Sequence, residues 1–351
     1  MRAAAATLGW LLLVAACGGG ATSGSSTTTT ALPTSTVSED STAATAPASS
    51  VETTVATQPE IDSWVSLADM GVPRSEFQAV ALDGLIYAAG GLSSGGSAQA
   101  NAHDTLEAYD PESDSWVRLE GMPEARHHAI AAGYHHHLYV FGGLAPRTWV
   151  PTDTVWRYNP AADRWTELDR MPVDMASGVA ITLEDTIYVV PGVGASRTLW
   201  AYDPLEETWT ELAAPSQPRD HLSGTLLDRR IYISGGRWSL AGESETVEVF
   251  DPATGTWTAG GSMQDPRSGH AMVAAAGAIY AMGGELLSNS TTLRSVEIYD
   301  PDTDVWTRLD DLPGPIHGTS AVEVDGVVYL VGGAATVGRA NATGDLLRLT
   351  P

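Results

Sequence analysis

Four arginines stand ten residues after a tryptophan, at Arg74, Arg126, Arg219 and Arg267, and Met175 and Ile316 take the equivalent place twice more. Histidines follow at His128, His221, His270 and His317. Guanidinium and imidazole groups repeated in this way suit an anionic or hydroxylated ligand. Recurrence in four units favours instead a structural role, in which each arginine holds backbone carbonyls of a neighbouring unit. Residues outside the pattern are the better candidates for recognition: Trp149 with Arg147, and Trp238 with Arg237. An exposed tryptophan beside an arginine can stack on a sugar ring or anchor a peptide, or it can simply cover an edge. Arg237 and Glu285 occupy the same place in successive units and read as a polar site pair or as an ion pair between units. Glu323 is the only carboxylate at its position. The run His135-His136-His137 has metal-binding residues, but it falls on a turn and nothing nearby completes a tetrahedral set. Nucleophile-elbow, phosphate-loop and zinc-protease motifs are absent, so no catalytic residue, metal or cofactor is expected.

The elements that must position these residues repeat. Trp64, Trp116, Trp165, Trp209, Trp257 and Trp306 each precede a glycine-rich pair by 26 residues: Gly90-Gly91, Gly142-Gly143, Pro191-Gly192, Gly235-Gly236, Gly283-Gly284 and Gly332-Gly333. A Tyr-Asp-Pro-like marker, such as Tyr109-Asp110-Pro111, lies six residues before the next tryptophan, counted from its middle residue. Length varies only between the glycine pair and this marker. Each unit holds four short apolar or alternating runs, with Asp83-Gly84 and Asp325-Gly326 placed as hairpin turns. In the first unit, strands A to D are expected at Phe77–Leu82, Leu85–Gly90, Thr105–Asp110 and Ser115–Leu119. A four-stranded sheet cannot bury both faces alone, so the units must pack face to face in a ring. Asp62–Leu67 is a strand D without a unit, and the last unit stops at its strand C. The N-terminal strand is therefore expected to complete blade six, which removes two open edges.

This pattern over residues 61–351 resembles the kelch repeat. The resemblance implies an all-β, six-bladed propeller with four antiparallel strands per blade. The B–C and D–A loops share one rim, and that rim is where a ligand is expected. The expected function is an interaction module recognising a glycan or protein, with a kelch-type sugar mutarotase, of the sialic-acid mutarotase kind, as the alternative. Galactose oxidase is similar in fold but needs a cysteine–tyrosine crosslink, and the sole cysteine here is Cys17, far from the repeats.

Composition bounds the rest. The formal net charge is −25, and every basic residue is arginine. Such a field disfavours nucleic acid. Residues 1–16 form a short apolar segment behind Arg2, and Val14-Ala15-Ala16-Cys17 resembles a bacterial lipobox. Residues 17–60 then read as a lipidated cysteine and a disordered Ser/Thr/Pro-rich tether, because they carry too little apolar surface to offset ordering. The expected product is an exported monomer, lipid-anchored to the outer face of a bacterial cell membrane and touching that membrane only through its lipid. Palmitate labelling in a bacterial host should mark the wild-type chain and vanish in Cys17→Ser; an unlabelled wild type would refute the anchor.

Overall fold

The computed structural model describes residues 63–93, 101–194, 197–238, 242–338 and 341–351. Cys17 and the tether lie outside the described residues. All named elements are β-strands, and they form six blades in sequence order. Blade one runs Ala79–Leu82, Leu85–Ala89, Leu106–Asp110 and Ser115–Leu119, within two residues of the sequence expectation at every end. Blade six is closed as expected: Val65–Ser66 pairs antiparallel with Ala342–Leu349 in the register Val65↔Arg348 and Ser66↔Leu347.

The repeat motifs are the joints between blades. Apolar residues of adjacent blades interdigitate: Val80, Tyr87 and Leu106 of blade one pack with Leu138, Val140 and Tyr158 of blade two. Outside that core, Trp116 donates its indole N–H to the Ala68 carbonyl of the preceding blade at 2.9 Å. The Ala68 N–H returns to Asp114 at 2.9 Å, and Asp114 also accepts the Tyr109 hydroxyl at 2.8 Å. One residue of the preceding blade is thus gripped by both its backbone groups. The same clip joins Glu120 to Asp163 and Trp165, and Gly261 to Asp304 and Trp306.

The glycine pairs make a second joint. Gly91 donates to the Arg126 carbonyl of the next blade at 2.8 Å, and equivalent bonds run from Gly143, Gly236, Gly284 and Gly333. Gly90 and Gly91 have φ of 65° and 103°. A Cβ on Gly90 would lie 2.6 Å from that same carbonyl oxygen, so the close approach requires glycine.

Blade three departs from both rules. Pro191 stands in place of the first glycine, and Glu207 stands at the clip position, at φ 53°. Neither the Tyr202 hydroxyl nor the Trp209 indole N–H has a hydrogen-bond partner, although both are buried. Glutamate is one methylene too long for the short reach that aspartate makes and tolerates the left-handed region less well. Replacing Glu207→Asp should satisfy the tyrosine hydroxyl and stabilise the propeller by about 1 kcal/mol, read as a higher urea midpoint. An unchanged or lower midpoint would count against the clip.

Candidate functional site

The site begins as backbone. Where each D–A loop turns into strand A, one residue takes a left-handed conformation: Glu76, His128, Ser177, His221, Gly269 and Gly318, with φ between 53° and 59°. Their N–H groups donate around a closed circle. His128 bonds to Glu76 at 2.7 Å, Ser177 to His128 at 2.9 Å, His221 to Ser177 at 3.0 Å, Gly269 to His221 at 2.8 Å and Gly318 to Gly269 at 2.7 Å. Glu76 bonds to Gly318 at 2.8 Å and closes the ring. This collar encircles the mouth of the central channel, and it bounds a cavity of about 100 Å³ with the first residues of the inner strands.

The arginines do not line that mouth. Arg74 and Arg267 have no exposed surface, and Arg126 and Arg219 are 3% and 5% exposed. Arg74 donates to the carbonyls of Ala88, Gly90 and Thr105 and pairs with Glu107, all in the blade that its loop enters rather than in a neighbour. Arg219–Glu248 and Arg267–Glu297 repeat the arrangement. Burial lowers the pKa of Arg267, against the pull of Glu297. Of the two sequence readings the structural one holds for Arg74, Arg219 and Arg267, with the partners inside one blade: they are internal staples and not a cationic ring.

The exceptions obey the same logic. Arg126 has no carboxylate at this position: Trp156 stands there, and the guanidinium lies over its ring at 4.9 Å. Where the arginine becomes Met175, the strand C partner is Trp200, and both are buried. Where it becomes Ile316, the equivalent residue is Leu347. The packing variants Trp156 and Trp200 are thus half of a polar-to-apolar exchange.

Three of the histidines meet at the mouth, with a partner that sequence reading missed. Glu76 Oε2 lies 3.1 Å from His128 Nε2 and 3.7 Å from His221 Nε2, and the two imidazole nitrogens are 3.0 Å apart. His317 Nδ1 is 3.7 Å from Glu76 and 3.3 Å from Glu285. Asp220 accepts from His221 Nδ1 at 2.5 Å. Arg237 ties the group together, reaching Asp220 at 3.1 Å, Glu285 at 2.7 Å and His221 Nε2 at 3.0 Å. Burial opposes charge on Glu76, yet His128, His221 and His317 around it hold its carboxyl well below the usual carboxylate range. Burial also lowers the pKa of His128, against the pull of Glu76.

His270 is not a member of this group. It follows its arginine by three residues rather than two, and its Nε2 bonds the buried Ser234 hydroxyl at 2.9 Å. Glu76 sits two residues after Arg74, the place that His128 and His221 hold after theirs, and that offset was the signal available in the sequence.

Trp149 is half-buried and Trp238 is exposed. Trp149 packs edge-on against His127 at 4.6 Å, and Arg197 lies over the Trp238 ring at 4.0 Å. Arg147 is exposed. On the opposite rim, His135 and His136 are exposed at the A–B turn, with His136 3.0 Å from Asp83. Glu323 accepts the Gly326 N–H of its own hairpin.

Comparison with known proteins fits this geometry. A family model described as the Attractin/LZTR1 beta-propeller matches residues 93–333. Kelch-like protein 35 of Mus musculus is 33% identical over 177 residues, covering 50% of this chain and 29% of its own. An F-box/kelch-repeat protein of Arabidopsis thaliana is 34% identical over 83 residues, 24% of this chain and 21% of its own. The chain thus spans less than a third of the length of these curated relatives. The solved structure of YjhT superposes with a TM-score of 0.70 at 17% identity, covering 80% of this chain and 96% of that one, a likeness of fold alone.

The staples can be tested without any ligand. Arg267→Met leaves Glu297 buried and unpaired and should cost about 3–5 kcal/mol. The double variant Arg267→Met/Glu297→Leu copies the apolar pairing of blade six and should be more stable than Arg267→Met. Additive losses in a double-mutant cycle by urea unfolding would refute the exchange.

Proposed function

Since the chain belongs to the Attractin/LZTR1 β-propeller family of kelch-repeat proteins, we propose that it is a surface-anchored interaction module that docks a protein partner on its D–A and B–C rim. Kelch propellers are protein-interaction modules as a class, and the finer reading rests on where apolar surface is left uncovered. Val150, Trp238 and Leu287 are 53%, 38% and 43% exposed, and all three stand on B–C loops of this one rim. The other large exposed apolar residues among those described, Val65, Val117, Leu205 and Val305, lie along strand D or the C–D turns.

Two of the rim residues are held by one small structure. Arg237-Trp238 pairs with Gly242–Glu243, and Glu243 accepts the Leu287 N–H at 2.9 Å. Apolar groups fixed in place in this way lose little further freedom when a partner covers them. A protein segment fits better than a sugar, because stacking needs an open ring face. Trp149 is packed edge-on against His127, and Arg197 already takes one face of Trp238. With a net charge of −25, the chain favours a partner whose docking segment has basic flanks.

The mutarotase alternative has acid and base groups in Glu76 and His128. A cavity of about 100 Å³ is small for a whole sugar acid, since small-molecule sites span roughly 300–1,000 Å³.

Panning a displayed peptide library on the full chain, alongside a glycan array, tests the rim. Selected peptides should bind at least about 10-fold more weakly to Trp238→Ala and Leu287→Ser, as loss of a buried anchor requires, and normally to the off-rim Leu205→Ser. Equal binding to all three variants would sink the reading. Glycan signals that depend on Trp238, in the absence of any selected peptide, would replace the protein partner with a sugar.

A further inference from the structure

Glu76, His128 and His221 come from three different blades, yet they aim three acceptor atoms at one point. The left-handed turn sends each side chain toward the channel axis, and the collar hydrogen bonds fix the three backbones that carry them. The carboxylate has room because position 318 is glycine: a Cβ there would lie 2.9 Å from Glu76 Oε1.

The spacing is that of a coordination shell. Ligand atoms about 2.1 Å from a tetrahedral zinc ion stand roughly 3.4 Å from one another. The three separations here are 3.0, 3.1 and 3.7 Å, which bracket that value without any movement of the chain. Two imidazoles and a carboxylate are a donor set for zinc and its first-row neighbours, not for calcium or magnesium.

The surroundings point the same way. A guanidinium can only donate, so the contact from Arg237 makes His221 Nε2 an acceptor and places the ring proton on Nδ1, facing Asp220. This is the carboxylate–histidine pairing that orients metal ligands. Glu76, Asp220 and Glu285 set three carboxylates around the single guanidinium of Arg237. Ser177, 7% exposed, lines the same cavity, and its hydroxyl has no partner in the protein.

We propose that Glu76, His128 and His221 bind a first-row divalent metal ion, zinc by its donor set, with a remaining coordination position open to the channel cavity beside Ser177. Arg237 and that ion compete for the one His221 Nε2 lone pair, so metal binding displaces the arginine contact. The guanidinium is held on Asp220 and Glu285, so metal entry requires the whole group to shift off His221. The site is independent of the partner-docking reading and stands or falls without it.

The test uses the full chain in a background of His135→Ala/His136→Ala/His137→Ala, which removes the imidazoles of the exposed turn. Zinc titrated by calorimetry should bind as one ion per chain. His128→Ala and His221→Ala should each weaken binding at least 100-fold, and Asp220→Asn about 10–100-fold through loss of the orienting carboxylate. Arg237→Gln should bind zinc no more weakly than the background, and His270→Ala should match it. Cobalt in place of zinc should give a visible d–d band that is lost in His128→Ala, while far-ultraviolet circular dichroism confirms that each variant is folded. No zinc uptake, or uptake unchanged by His128→Ala and His221→Ala in folded protein, would overturn the site.

Discussion

The closed circle of backbone hydrogen bonds at the collar is the constraint on which the rest depends. A ring of blades has no terminal unit to absorb misfit, so six bonds must close with one geometry. Six consecutive loops therefore adopt φ between 53° and 59°, although four of the residues are not glycine. A non-glycine residue in this region costs of order 1 kcal/mol and persists only where the surroundings over-determine it. Here glycine-pair bonds tie five of the loops to the blade before them, and buried Arg74, Arg219 and Arg267 staple three loops to the blade they enter. The circle then does two things together. It seals the inner edge of the blades, and it turns whatever side chain stands at that position toward the axis.

The arginine staples show how a repeat tolerates change. Arginine and glutamate occur together in blades one, four and five. Arginine faces tryptophan in blade two, while blades three and six are apolar on both sides. A buried charge left without its partner is expensive, so the two positions move as a pair. Blade three combines several departures, with Pro191 at the glycine pair, Met175 and Trp200 at the staple and Glu207 at the clip. At the collar the same blade contributes Ser177, the smallest of the four collar side chains, between the two histidines that meet.

Much of the fold was legible in the sequence because its markers recur at fixed spacing. The 26-residue interval runs from the Trp joint of one blade to the glycine joint of the next, and the N-terminal strand could be assigned because each end of the propeller repeats lacks what the other supplies. The mouth was less legible. Its geometry turns on single-residue offsets, and at a left-handed turn an offset of one sends the side chain in a different direction. His270 was grouped with His128 and His221, though it stands one place further on and points to Ser234. Glu76 went unnoticed because its chemistry differs from histidine although its position is theirs. The arginines admit two readings in sequence, because a repeated charge looks the same whether it is solvated or stapled. Their recurrence favours the staple, and the structure places its partners in the blade the loop enters rather than in a neighbour.

The way blade six is closed also decides how the propeller meets a mechanical load. Any pull transmitted along the chain from before Ser63 reaches the propeller first at the pairs Val65↔Arg348 and Ser66↔Leu347. Behind them stand the backbone bonds from Leu67, Met70 and Arg74 to Leu346, Gly344 and Thr343. The strand that joins the two ends of the ring is therefore also the first to bear tension. Its force path runs on to Arg74, whose side chain is locked into blade one. A load that enters at the N-terminal side therefore falls on those two pairs and the three backbone bonds behind them before it reaches the cores between blades.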